Sequence, residues 1–148
     1  MPGPRSVGGQ SSPMRIAIFG TRGIPANYGG FETFAQELSI RLAQRGHHVT
    51  VYCRRANYPD PMQEYKGVHL VTLPTIHTKS MDTLSHALLS SLHVLSVGVD
   101  IALFCNSATS CFAWIPRLRG AKVVMNPDGL EWERAKWGWA GKTFYKFS

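Results

Sequence analysis

The sequence predicts an α/β fold with a mostly parallel sheet and helices on both faces. Short apolar, β-branched runs alternate with segments of helical periodicity, the pattern of strand–helix–strand units. The first run leads into a loop holding Gly20, Gly23, Gly29 and Gly30, after which a helix begins. In a strand, glycine loop and helix N-terminus of this kind, backbone N–H groups and the helix dipole can face an anion, typically phosphate. A chain of 148 residues, 44% of them apolar, has enough material for one buried core.

Residues 14–20 (MRIAIFG) form a short apolar run ending in glycine, as expected of a strand buried on both faces. From Phe31 the apolar positions Phe31, Phe34, Ala35, Leu38 and Leu42 fall on one helical face, while Glu32, Gln36, Glu37, Arg41 and Arg45 take the other sides. Gly46 supplies the stop. Residues 48–53 (HVTVYC) read as the second strand. Residues 57–61 are a turn-rich connection, and residues 68–73 (VHLVTL) a third strand closed by Pro74. Ser80 or Asp82 is the expected cap of a long helix reaching Val97. Residues 100–105 form a fourth strand, followed by a short helix that ends between Pro116 and Gly120. Residues 122–126 form a fifth strand, and helix is expected from Glu131 onward.

Bulk properties narrow the function. A net charge of +7 favours anionic partners, although no block of like charges or Arg-rich helix marks a nucleic-acid binder. The cysteines Cys53, Cys105 and Cys111 are odd in number and form no C-x-x-C pair, so neither a disulfide framework nor a zinc site is indicated. Reduced thiols and a cytoplasmic setting are expected. Residues 1–13, rich in Gly, Ser and Pro, read as a disordered leader without the apolar segment of a signal peptide. Residues 84–97 are too short to span a bilayer and carry His86, Ser90, Ser91 and His93. His77, His86 and His93 receive no role.

In a parallel sheet, ligands bind beyond the C-terminal strand ends. Gly20 to Gly30, Arg54 with Arg55, Asn106 with Ser107, and Asn126 to Gly129 all fall there. The dinucleotide pattern G-x-G-x-x-G is absent, and the second strand ends in Arg54-Arg55 where an NAD site would place a carboxylate. An NADP-binding domain tolerates that arginine pair and stays as an alternative. A non-catalytic module for an anionic lipid or glycan is a second one. The P-loop pattern G-x-x-x-x-G-K-[ST] is also absent. Gly29-Gly30 before the helix can admit a diphosphate closely, because no Cβ intervenes. Glu32 in the first turn either complements the helix dipole or accepts a sugar hydroxyl. Arg22 is a candidate anion contact or a solvated loop arginine.

Two stretches carry a family resemblance. GTRGIPANYGGFETFAQELSIRLAQRGHHVTVYCR and, later, NPDGLEWERAKWG resemble the N-terminal domain of bacterial family 4 glycosyltransferases, nearest to the rhamnosyltransferase-like branch that builds surface polysaccharides. The resemblance spans residues 14–148. It implies a GT-B enzyme of two Rossmann-like domains, in which residues 14–148 are the N-terminal, acceptor-side domain and the chain stops before the donor-binding half. It implies sugar transfer with retention, no metal and no cofactor beyond the nucleotide-sugar as co-substrate. The acceptor is a polysaccharide or lipid-linked precursor. Gly29 and Gly30, with Arg22, would face the donor diphosphate. The absence of a D-x-D motif agrees with a metal-independent site.

Many members place a histidine after the strand corresponding to residues 122–126; here Asp128 stands at that point. Asp128 is therefore the candidate catalytic group, or else a turn aspartate before Gly129. Asn126, Glu131, Trp132 and Arg54 are candidates for the acceptor or sugar side, Trp132 by stacking and Arg54 as an anion contact or a free, solvated arginine. Trp137, Trp139, Phe144 and Tyr145 mingle with Lys136, Lys142 and Lys146, a mixture compatible with peripheral contact at the inner face of the cell membrane or with an amphipathic helix. The expected chain is inactive alone.

Overall fold

A computed structural model describes residues 12–126 apart from Tyr28, His77, Lys79 and Ser80, and only the backbone of Ser107. Residues 1–11 and 127–148, which hold most of the expected leader, the helix expected from Glu131 and the aromatic–lysine run, lie outside the described residues.

The strands are β1 (Arg15–Phe19), β2 (His48–Arg54), β3 (Glu64–Tyr65), β4 (Val68–Leu73), β5 (Ile101–Phe104) and β6 (Lys122–Met125). The helices are α1 (Gly30–Gln44), α2 (Met81–Val97) and the short α3 (Trp114–Arg117), with a 3-10 turn over Ser107–Phe112. The sheet order is β3-β4-β2-β1-β5-β6. All neighbouring pairs are parallel except β3 with β4. The predicted α/β, Rossmann-like class is therefore observed.

The chain steps from β1 to β2 in one direction and from β4 across to β5 in the other. Right-handed crossovers then put α1 on one face and α2 on the opposite face. The reversal falls between β1 and β5, where an open α/β sheet forms its crevice at the C-terminal strand ends.

Strand alternation divides the core accordingly. Ile16, Ile18, Val49, Val51 and Leu70 pack with Ala35 of α1 in one layer. Ala17, Phe19, Tyr52 and Phe104 pack with Val94 of α2 in the other. Phe19 is the hub of that second layer, edge-on to Phe104 at 4.2 Å and to Tyr52 at 5.8 Å between ring centroids. Such pairs contribute about 1 kcal/mol each beyond area burial.

Three local outcomes depart from the sequence reading. The hairpin strand β3 was not expected. It pairs Tyr65 with Val68 across Lys66 and Gly67, whose φ angles are 48° and 83°; positive φ at both positions is what a two-residue hairpin turn needs. The segment after β5 is a 3-10 turn followed by α3 instead of one helix. And Asp82 lies inside the first turn of α2, while the Thr78 hydroxyl accepts the Met81 N–H at 3.3 Å. Ser80, the other expected cap, is outside the described residues.

Gly23 shows how tightly the glycine loop is seated. Its φ is 130°, and a Cβ there would lie 2.7 Å from Cys53 Sγ and 2.8 Å from Tyr58 Cε2. Both neighbours belong to packed surroundings, so neither can retreat freely. Gly23→Ala is expected to lower stability by about 3 kcal/mol, read as a fall in the urea midpoint; an unchanged midpoint would show that the loop is not seated on β2.

Candidate functional site

The loop between β1 and α1 is lashed down by backbone and side-chain bonds. The Arg54 N–H donates to the Arg22 carbonyl at 2.8 Å, which extends the β1–β2 contact past the strand end. Tyr58 donates its hydroxyl to the Pro25 carbonyl at 2.7 Å, and the Ala26 N–H reaches Gln36 Oε1 at 2.7 Å. The Arg22 N–H donates to Glu32 Oε1 at 3.0 Å. These bonds tie the loop to β2, to the segment after β2, and to two successive turns of α1.

The loop delivers Gly29 and Gly30 to the N-terminus of α1, and both are exposed. Gly29 is extended and no side chain caps this helix end. The Thr33 N–H bonds back to the Gly29 carbonyl at 3.2 Å, so the first turn is closed. Among the described residues, a Cβ at Gly30 would meet nothing within 4 Å, and one at Gly29 only Glu32 Oε2 at 3.3 Å. The predicted glycine pair thus stands at a helix N-terminus, on the open side of the loop, where a group can approach the backbone.

The other candidates occupy different surroundings. Arg22 lies in the loop with an exposed side chain. Asn126 follows β6, half-buried, its N–H donating to the Phe104 carbonyl at 2.8 Å, which places it beside β5 at the same sheet edge. Glu32 is buried and turned into the loop through the Arg22 amide. Asp128, Glu131 and Trp132 lie outside the described residues. Asn106 caps the 3-10 turn, its Oδ1 accepting the Ala108 N–H at 2.9 Å.

Arg54 is not the solvated arginine a strand end usually offers. Only 6% exposed, it donates to Asp82 Oδ2 at 2.7 Å and to Thr83 Oγ1 at 3.1 Å, while its Nε is buried without a partner among the described residues. Burial lowers its guanidinium from the ordinary value; Asp82 opposes that, Arg22 adds to it, and Glu32 opposes it. For Asp82, burial acts upward, but the Thr75 hydroxyl and Arg54 outweigh it and hold the carboxyl below the usual range. The pair locks the end of β2 to the start of α2. It also occupies the arginine that a 2′-phosphate of NADP would need, leaving Arg55 exposed beside it.

His86, given no role from sequence, completes this cluster. It is fully buried, and its Nε2 lies 3.1 Å from the Cys53 carbonyl. The carbonyl can only accept, so the proton belongs on Nε2 and Nδ1 is a bare acceptor without a partner. Burial, reinforced by the positive charge of Arg54, pushes the imidazole down to about 4. His93 also departs from a plain helix surface, its Nδ1 standing 2.8 Å from the Tyr52 hydroxyl. Burial pushes the Cys53 and Cys105 thiols up to about 11 and about 12, which makes them inert apolar residues. Among the described residues no three His, Cys, Asp or Glu side chains are grouped to hold a metal ion.

A Rossmann-like domain with a glycine loop and helix N-terminus at its switch point is a class of ligand-binding α/β domain. Within it, the chain belongs to the family described as Domain of unknown function (DUF1972), whose model matches residues 14–148. That domain is found at the N-terminus of glycosyltransferase-like proteins. No curated protein matches the chain.

The buried imidazole sets a pH dependence. The unfolded chain takes up a proton near 6.5 and the folded site only near 4, so the contribution of neutral His86 is complete above 6.5 and is lost as pH falls through that window. His86→Gln is expected to flatten the stability profile between those two values in urea unfolding at stepped pH. An unchanged slope would place the acid sensitivity elsewhere.

Proposed function

We propose that this chain is the acceptor-side lobe of a retaining, metal-independent glycosyltransferase of the family 4 type, which moves a sugar from a nucleotide-sugar to a polysaccharide or lipid-linked acceptor. The observation that carries the reading is the open glycine pair at the α1 N-terminus, set on a loop bonded to β2 and α1 and placed at the sheet's switch point. Family membership supports it, since the domain occurs at the N-terminus of glycosyltransferase-like proteins.

In this reading the Gly29 and Gly30 amides and the positive end of α1 stabilise charge on the donor diphosphate as the sugar departs. The helix dipole is fixed before the ligand arrives, so no reorganisation is needed at the moment of transfer. Arg22 adds a positive charge at the mouth of the loop. Asn126 is assigned to the acceptor or sugar hydroxyls, as are Asp128, Glu131 and Trp132, which lie outside the described residues. Glu32 and Arg54 act behind the site: Glu32 keeps the loop against α1, and Arg54 fixes the edge of β2 to α2. In this reading the donor is held between residues 14–148 and a second lobe across the cleft, so residues 14–148 by themselves transfer no sugar.

The test is transfer from a panel of nucleotide-sugars by a polypeptide joining residues 14–148 to a donor lobe, with and without chelator. Gly30→Val adds side-chain atoms where a Cβ meets no neighbour among the described residues. It is expected to lower kcat/KM at least about tenfold with the urea midpoint nearly unchanged. No turnover of any nucleotide-sugar, or a Gly30→Val variant as active as the parent, would overturn the reading.

A further inference from the structure

The outer side of α2 and α3 has a composition that the glycine-loop site does not use. Across its 17 residues α2 carries a single charged side chain, Asp82, which is turned inward to Arg54. Its outward positions are apolar apart from Ser96: Leu88 and Leu92, one turn apart, are 37% and 48% exposed. Packed on the same face of the sheet, α3 adds Trp114 and Leu118, also one turn apart and at 59% and 67% the most open aromatic and leucine side chains among the described residues. A helix whose solvent side is uncharged and leucine-rich departs from the usual amphipathic pattern of a surface helix.

The rim of this surface is basic. Arg117 and Arg119 flank Leu118 and are exposed, and Lys122 is exposed at the start of β6. None of these three has an acidic partner among the described residues. Arg119 approaches Gly98, where Arg15 also lies, so the positive charge continues around the end of α2. Asp100, paired to Arg15, is the acidic group there.

We propose that the outer side of α2 and α3 docks on an anionic lipid bilayer, with Trp114 and Leu118 entering the interface and Arg117 and Arg119 against the headgroups. Tryptophan and arginine suit that depth, since the indole has a large apolar body and a polar edge and the guanidinium sits at the phosphate level. A second copy of the chain fits less well: a two-fold contact through this patch would set its arginines against their own equivalents. The proposal concerns binding alone and stands whether or not the glycine loop serves sugar transfer.

The experiment is vesicle flotation of the whole chain with phosphatidylcholine vesicles and with vesicles containing one-third phosphatidylglycerol, at low and high salt. Binding is expected only to the anionic vesicles and weakens at high salt, as headgroup attraction requires. Arg117→Gln with Arg119→Gln is expected to weaken the partition coefficient by about 20-fold. Trp114→Ser with Leu118→Ser, at positions too exposed to hold the fold, is expected to abolish flotation while the circular dichroism spectrum and urea midpoint stay as in the parent. Equal binding to neutral vesicles, no binding to either kind, or binding untouched by both double variants would overturn the proposal. So would a stable dimer in solution that the Trp114 and Leu118 changes dissociate.

Discussion

The bond from the Arg22 amide to the Glu32 carboxylate is the contact on which the candidate site rests. Glu32 is in the first turn of α1, and its buried oxygen reaches back to hold the loop that precedes its own helix. A carboxylate at that position also complements the positive end of the helix dipole. Removing it would leave the Arg22 N–H without its acceptor and the loop without its tie to α1. The tie joins the loop at Arg22 to the first turn of α1 at Glu32, two residues past Gly30, and so bears on where the glycine pair stands.

A second constraint acts from the sheet side. Gly23 lies so close to Cys53 that no side chain fits, and Arg54 donates its N–H to the loop while sending its guanidinium to α2. Consecutive residues of β2 thus serve opposite faces: Cys53 packs under the loop on the α1 side, and Arg54 reaches Asp82 on the α2 side. Burying an ion pair is costly, and replacing one partner is more costly still, because the remaining charge stays out of water. The pair's contribution is therefore best understood as fixing where β2 ends relative to α2. His86, accepting no charge of its own at neutral pH, fills the space beside it.

Much of this fold can be read in the sequence because strand and helix periodicities differ. The five longer strands and both long helices are marked by apolar spacing and by glycines at their ends. The hairpin strand β3 is two residues long, too short for any alternation to register. The role of Arg54 was hidden for another reason: its partner, Asp82, is 28 residues away, and only the sheet order brings them together. His86 had a usable signal. His86, Ser90 and Val94 recur every four residues, and all three are buried; small residues on one helical face mark close approach to a neighbour, and a histidine among them is inside the protein. The glycine pair was legible as a motif, whereas the bonds that hold it outward were not, since Tyr58 and Gln36 carry no pattern that points to the loop.

In the proposed function the α1 N-terminus and its glycine pair form a diphosphate-binding edge. Backbone amide resonances of the isotope-labelled chain, followed during titration with uridine, guanosine and thymidine diphosphates, test it most directly. Gly29, Gly30 and Phe31 are expected to shift first and furthest with at least one nucleotide, while amides on the α2 side stay in place. Shifts confined to other parts of the molecule, or none at millimolar nucleotide, would contradict it.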